Sequence, residues 1–186
     1  MQLDQYHQQY ADKSDDELAK RLAEKKDELE RVVAAVGTQL SGDIHVAVMG
    51  CGDARFVDGH QTIFSEVFGA PATIFTFDIT IDHLAGKEGV TQHDCTEPLP
   101  GGPYQISYAH VLLRFIPEEQ QYAVVQNSID CLADNGLAIH VLDPDDYEEG
   151  GKVAYESILK QLGEADIDYT EVSLNIGKAL VVKKTR

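Results

Sequence analysis

Ile44-His45-Val46-Ala47-Val48-Met49-Gly50-Cys51-Gly52-Asp53-Ala54 is the stretch from which the fold is read. The run from Ile44 to Met49 is short, mostly apolar and ends in glycines, so it reads as a buried first strand. Glycine lets the chain turn sharply and lets a ligand approach the backbone without meeting a Cβ. Taken alone, Gly50-Cys51-Gly52 fits a plain tight turn as well as a binding loop.

Downstream, strand and helix signals alternate. Phe56 to Phe68 suits a helix with Ile63, Phe64, Val67 and Phe68 inward. Thr73 to Phe77 is a β-rich run closed by Asp78, and Val90 to His93 is a short strand closed by Asp94. Ile81 to Ala85 leaves room for a turn or two of helix between them. Tyr104 to Val111 reads as the fourth strand, Pro117 to Leu132 as a helix, Gly136 to Leu142 as the fifth strand and Lys152 to Leu162 as a helix. Tyr169 to Leu174 and Ala179 to Lys183 are then joined by only Asn175-Ile176-Gly177-Lys178, which requires an antiparallel hairpin. The expected fold class is therefore α/β: a three-layer sandwich with a seven-stranded, mostly parallel sheet and an antiparallel terminal hairpin. In such sheets ligands bind at the carboxyl ends of the strands, where Gly50, Asp78, Asp94 and His110 fall.

Upstream, Ser14-Asp15-Asp16-Glu17 fits a helix-capping box, and Leu18, Leu22, Leu29, Val33, Val36 and Leu40 recur near helical spacing. Gly37 is a plausible stop signal. Tyr6-His7-Gln8-Gln9-Tyr10 precedes this helix as a polar, aromatic arm. Residues 1–42 are thus expected to be a helical extension and residues 43–186 the ligand-binding domain.

The 186 residues, 43% hydrophobic and 25% charged, are enough for one domain with a complete core. No apolar run reaches the ~20 residues of a bilayer span, and Met1-Gln2-Leu3-Asp4 lacks the basic start of a signal peptide. Three separated cysteines, Cys51, Cys95 and Cys131, suggest reduced thiols and a cytoplasmic setting. A formal net charge of −17 repels phosphate backbones, so nucleic acid is not expected as a partner and the charge is read as a solubility device.

In this order the motifs resemble those of the class I S-adenosylmethionine (SAM)-dependent methyltransferases, from about Ile44 to Lys184. Val46 to Ala54 resembles the family's glycine-rich first motif, and Phe75-Thr76-Phe77-Asp78 its second. His93-Asp94-Cys95-Thr96-Glu97-Pro98-Leu99-Pro100 is similar to the segment that faces adenine. Tyr108 to Phe115 resembles the fourth-strand segment, and Leu132 to Ile139 the turn into the fifth strand. The resemblance implies SAM as cofactor, held around Met49, Gly50, Cys51, Gly52, Asp53, Asp78, Ile79, Asp94, Cys95 and Ala109. Asp78 would accept from the ribose hydroxyls and Asp94 from the adenine amino group, with Cys95 an apolar edge to the ring. Taken alone, each acid is equally a capping or loop residue.

The chain departs from the pattern at Val48, where an acid is usual, at Ala54 in place of a third glycine, and at Gln105. Gly50 and Asp78 are 28 residues apart, more than is common, and Asp78 and Asp94 only 16. The implied function is methyl transfer to a small-molecule acceptor. A catalytically inactive SAM- or ligand-binding protein on the same fold is the alternative that Val48 and Ala54 support. An NAD-type oxidoreductase is disfavoured by the incomplete G-x-G-x-x-G and by the terminal hairpin. Methyl transfer asks the protein mainly for alignment, plus a base where the acceptor must lose a proton. His110 is the candidate, although the position equally suits a structural pocket-wall histidine. No metal is expected: H-x-x-x-H and C-x-x-C spacings are absent, although His83, His93 and Cys95 could meet near the cleft. The acid-rich Asp143-Pro144-Asp145-Asp146-Tyr147-Glu148-Glu149-Gly150 has Glu148 where an EF-hand loop needs glycine, at its sixth position, and reads as a solvated loop over the cleft.

Overall fold

A computed structural model describes residues 3–143 and 151–185; side chains are described from His7 onward. Residues 144–150, most of the acid-rich loop expected over the cleft, lie outside the described residues. The elements run α1 (Leu3–Ala11), α2 (Asp15–Val36), β1 (Ile44–Met49), α3 (Ala54–Phe68), β2 (Ala72–Asp78), β3 (Val90–Gln92), β4 (Tyr104–His110), α4 (Glu118–Asp130), β5 (Leu132–Leu142), α5 (Tyr155–Glu164), β6 (Tyr169–Ser173) and β7 (Lys178–Lys183).

The strands form one sheet in the order β3-β2-β1-β4-β5-β7-β6. β1 pairs in parallel with β2 and β4, β2 with β3, and β4 with β5, whereas β7 is antiparallel to both β5 and β6. The seven-stranded, mostly parallel sheet with an antiparallel terminal hairpin expected from the sequence is thus the one observed. β6 keeps the direction of the first five strands, and β7 alone reverses.

Alternating side chains on each strand split the core in two. Val46 and Val48 of β1, with Ile106 and Tyr108 of β4, face Leu29 and Val32 of α2 and Ile63 and Phe64 of α3. Ala47, Met49 and Ala109 face Val124, Val125 and Ile129 of α4 and Ile158 and Leu162 of α5. Both faces being covered, the inner strands β1, β4, β5 and β7 are largely buried on both sides, whereas the edge strands β3 and β6 are mostly exposed.

Several boundaries differ from the sequence reading for local reasons. Ser14 caps α2, its side chain accepting from the Glu17 amide while Glu17 Oε2 accepts from the Ser14 amide at 2.9 Å. Gly37 ends that helix in the left-handed conformation, so Leu40 lies beyond it, and Val32 rather than Val33 is buried. α1 is a helix at the segment whose sequence reads only as a polar, aromatic arm. α3 begins at Ala54 because Asp53 caps it through the Arg55 amide, 2.8 Å. β5 starts at Leu132, four residues early, with a register irregularity opposite Tyr104 and Ile106. α5 starts late, since the Gln121 amide nitrogen donates to the Lys152 carbonyl and its oxygen accepts from the Ala154 amide.

Candidate functional site

The carboxyl ends of β1, β2 and β4 open into a cavity of about 300 Å³, lined among others by Gly50, Cys51, Gly52, Asp78, Ile79, Asp94 and Cys95. Gly50 has φ +74° and donates its amide to the Phe77 carbonyl at 2.8 Å, which fastens the loop to β2. A Cβ at this position would come within 3.0 Å of Leu112 Cδ1, which also lines the cavity. The next amide, of Cys51, donates to Asp78 Oδ2 at 2.8 Å, and the Thr80 amide donates to Oδ1 at 3.1 Å. A carboxylate offers about four lone-pair sites, so each oxygen keeps one for a ligand hydroxyl.

Asp94 stands exposed at the rim. Its Oδ1 accepts from the Thr96 amide at 2.9 Å and from the Thr96 hydroxyl at 2.8 Å, and these bonds hold the carboxyl below its ordinary range. Neither bond engages Oδ2. Cys95 is 6% exposed, and burial pushes its thiol up to about 12, so it offers an apolar edge. Ile79 is 52% exposed at the cavity mouth, where a flat ligand would cover it.

Three residues in the expected cofactor set do not line this cavity. The side chains of Met49 and Ala109 are buried in the core against α4. Asp53 is engaged by Arg55, whose Nη2 lies 2.8 Å from Oδ2 and whose Nε donates to Oδ1 at 2.9 Å. Burial works against ionisation of Asp53, but Arg55 outweighs it and the net direction is downward.

His110 lies on the wall between this cleft and a second cavity of about 440 Å³ beneath α2. Tyr10, Lys25, Arg114 and Phe115 also line both. His110 Nε2 is 3.1 Å from Glu28 Oε2. A carboxylate only accepts, so that nitrogen carries the proton and Nδ1 the lone pair. Burial lowers the His110 pKa and neighbouring Lys25 lowers it further, against the upward pull of Glu28, which keeps the ring neutral near pH 7.

The sequence reading did not include Lys25, Glu28 or His60. Lys25 is 8% exposed, with Nζ 5.4 Å from the Phe56 ring centre and 5.7 Å from that of Tyr108. Burial lowers its pKa to about 8. A signal existed: Leu18, Leu22, Lys25, Leu29 and Val32 step by four, three, four and three, so Lys25 occupies a core position of the helix stripe.

His83 does not meet His93 and Cys95 in a metal-ligating group. It lies instead with His7 and Asp78, potential ligand atoms of the three falling within 4.8 Å of one another. The His7 and His83 rings are stacked at 3.6 Å with an 18° interplanar angle, and His83 Nε2 donates to the Cys51 carbonyl at 2.6 Å. Near-parallel rings cannot both aim lone pairs, which lie in the ring planes, at one ion. The group is an imidazole stack beside Asp78.

No protein-family profile and no curated protein matches the sequence. The fold does match solved structures. A SAM-dependent methyltransferase from Clostridium acetobutylicum aligns at TM-score 0.64 and 11% identity, over 88% of this chain and 92% of that one. Magnesium protoporphyrin IX methyltransferase from Synechocystis, solved with bound SAM, aligns at TM-score 0.58 and 16% identity, over 87% and 78%. An O-methyltransferase family protein from Burkholderia thailandensis aligns at TM-score 0.60 and 10% identity over 87% of this chain, which spans only 55% of that protein. Among the described residues no helix is long and apolar enough to cross a membrane.

Proposed function

We propose, from the class I methyltransferase fold that this chain has, that it is a SAM-dependent methyltransferase acting on a small-molecule acceptor. The observation that carries this reading is the pair of adjoining cavities. One is built on Gly50, Asp78 and Asp94; the other is roofed by α2; His110 and Lys25 line both. The cleft suits an adenosine ligand: a glycine turn without Cβ, an acid with spare lone pairs at the ribose position, and a rim of Asp94, Cys95 and Ile79 for a flat amino-bearing ring.

When bound, SAM supplies an activated methyl group on a sulfonium that is its own leaving group. The chain's residues then orient and exclude water. Phe115 and Tyr10 wall the acceptor side, and residues of α2 line it from above. His110 Nδ1 takes the proton of an acceptor that must lose one, and Glu28 stabilises the imidazolium that results.

Calorimetric titration with S-adenosylhomocysteine, with NAD as control, tests the cofactor. Micromolar binding of the first alone is expected; preference for NAD would sink the reading. An acceptor screen follows, and saturable SAM binding without turnover on any acceptor would favour the inactive ligand-binding alternative that Val48 and Ala54 support.

A further inference from the structure

α1 is too short to hold itself in place. Helices under ~12–15 residues are marginal alone in water, and none of its side chains described from His7 onward is fully buried. Residues 12–14 separate it from α2, which starts on its own Ser14 cap and is fixed in the core by Leu18, Leu29 and Val32. One face of α1 nevertheless forms part of the strand-end cleft. His7 and Tyr10, a helical turn apart and so on the same face, both line it. The His7 ring lies on that of His83, which donates to the Cys51 carbonyl of the glycine turn. A ring nitrogen of His7 comes within 4.8 Å of an Asp78 carboxylate oxygen, so the acid at the ribose position has α1 against it.

The main tie on α1 lies to one side of the cleft, at Arg55, where all five guanidinium N–H groups are used. Nε donates to Asp53 Oδ1 at 2.9 Å, and Nη2 to Asp53 Oδ2 at 2.8 Å and to the Tyr10 carbonyl at 3.0 Å. Nη1 donates to the Lys13 carbonyl at 3.1 Å and to Asp15 Oδ1 at 3.0 Å. One rigid planar fork thus joins the last turn of α1, the link, the first turn of α2 and the cap of α3. Its charge also stands at the carboxyl end of α1, where the helix dipole favours a cation. Asp53 directly follows Gly50-Cys51-Gly52, so the fork is anchored on the glycine turn itself. Of the four partners, only Tyr10 lines the cleft, so the strength of this tie does not depend on what the cleft holds.

We propose that α1 is a hinged lid on the cofactor cleft, that Arg55 is its latch, and that Arg55 and Asp53 are positioning residues setting how fast the cofactor enters and its demethylated product leaves. This rests on the cofactor reading above. A latch indifferent to the contents of the cleft alters opening equally in the filled and the empty protein. Weakening it therefore raises association and dissociation together and leaves the affinity in place, whereas a damaged binding site loses affinity.

Surface plasmon resonance with S-adenosylhomocysteine gives both rate constants, and hydrogen exchange of the ligand-free protein gives the opening of α1. Arg55→Lys keeps the charge and loses the fork. It should raise both rate constants about tenfold with Kd within about threefold, and speed exchange of the α1 amides about tenfold while β1 is unchanged. Asp53→Asn keeps a good cap on α3 but weakens the ion pair, and should raise both rate constants about threefold. Unchanged rates in Arg55→Lys, faster dissociation without faster association, or faster exchange that spreads into β1 overturns the latched lid, while binding by the wild-type protein leaves the cofactor reading standing. No binding of S-adenosylhomocysteine to the wild-type protein overturns both.

Discussion

Before any ligand arrives, Asp78 already accepts two backbone hydrogen bonds, from Cys51 and Thr80. They aim its remaining lone pairs into the cleft, so Asp78→Ala should weaken S-adenosylhomocysteine binding by about 1–3 kcal/mol in calorimetry. Unchanged affinity in a folded variant would remove the ribose role. His110 offers a second test. Glu28 pulls its pKa up while burial and Lys25 press it down. Glu28→Gln removes the upward pull, so the acidic limb of the turnover–pH profile should move to lower pH, with a lower maximal rate from the lost orientation. A limb that stays in place would detach His110 from the chemistry. These residues differed in how far the sequence revealed them. Gly50, Asp78 and Asp94 sit at strand ends, where position alone marks them. Lys25, Glu28 and His60 sit within helices, and their convergence depends on how α2 and α3 cross the sheet. A strand-end pattern does not encode that crossing.

Among the elements, the β6–β7 hairpin shows how much of the fold was readable. Its short connection required antiparallel pairing whatever the tertiary context. The early start of β5 was not readable, because the Leu132 pairing with Tyr104 depends on a register irregularity. Gly177, at φ +74° in the connection, would direct a Cβ into the backbone carbonyl of Leu142. Gly177→Ala should therefore cost about 2–3 kcal/mol through left-handed backbone strain and the clash together. For a chain of this size that is a fall of roughly 4–12 °C in Tm. A Tm within a degree of wild type would mean that the hairpin relaxes freely. α1 was missed because His7, Gln8 and Gln9 give no apolar periodicity, although Tyr10 packs edge-on at 5.5 Å from the Phe56 ring of α3.

For the whole molecule, the boundary between a helical extension and a binding domain becomes a question of stability. Leu29 and Val32 of α2 are 1% and 0% exposed in the same core as β1 and β4. Deleting residues 1–40 should abolish cooperative unfolding rather than release an intact domain, as calorimetry of the shortened chain would show; a sharp transition would restore the separate-extension reading. Acid should also loosen the fold before the carboxylates titrate. Burial lowers the His140 pKa to about 4, and His60 is held well below its ordinary value by burial and Lys25. The unfolded chain binds protons on both from about pH 6.5 downward while the folded chain refuses them, so stability falls as pH drops. For His140 the loss at pH 5 is about 2 kcal/mol and is complete below about pH 4. Denaturant midpoints that are flat between pH 7 and 5 would contradict this.

The position of β7 has a consequence in time. It follows every other strand in the order of synthesis, yet it lies inside the sheet, between β5 and β6. Until it arrives those two strands have no ladder joining them, and each presents open backbone to any passing strand. A translating ribosome therefore carries a chain whose last interior strand is still missing, and final closure of the sheet waits until residues 178–183 have left the exit tunnel.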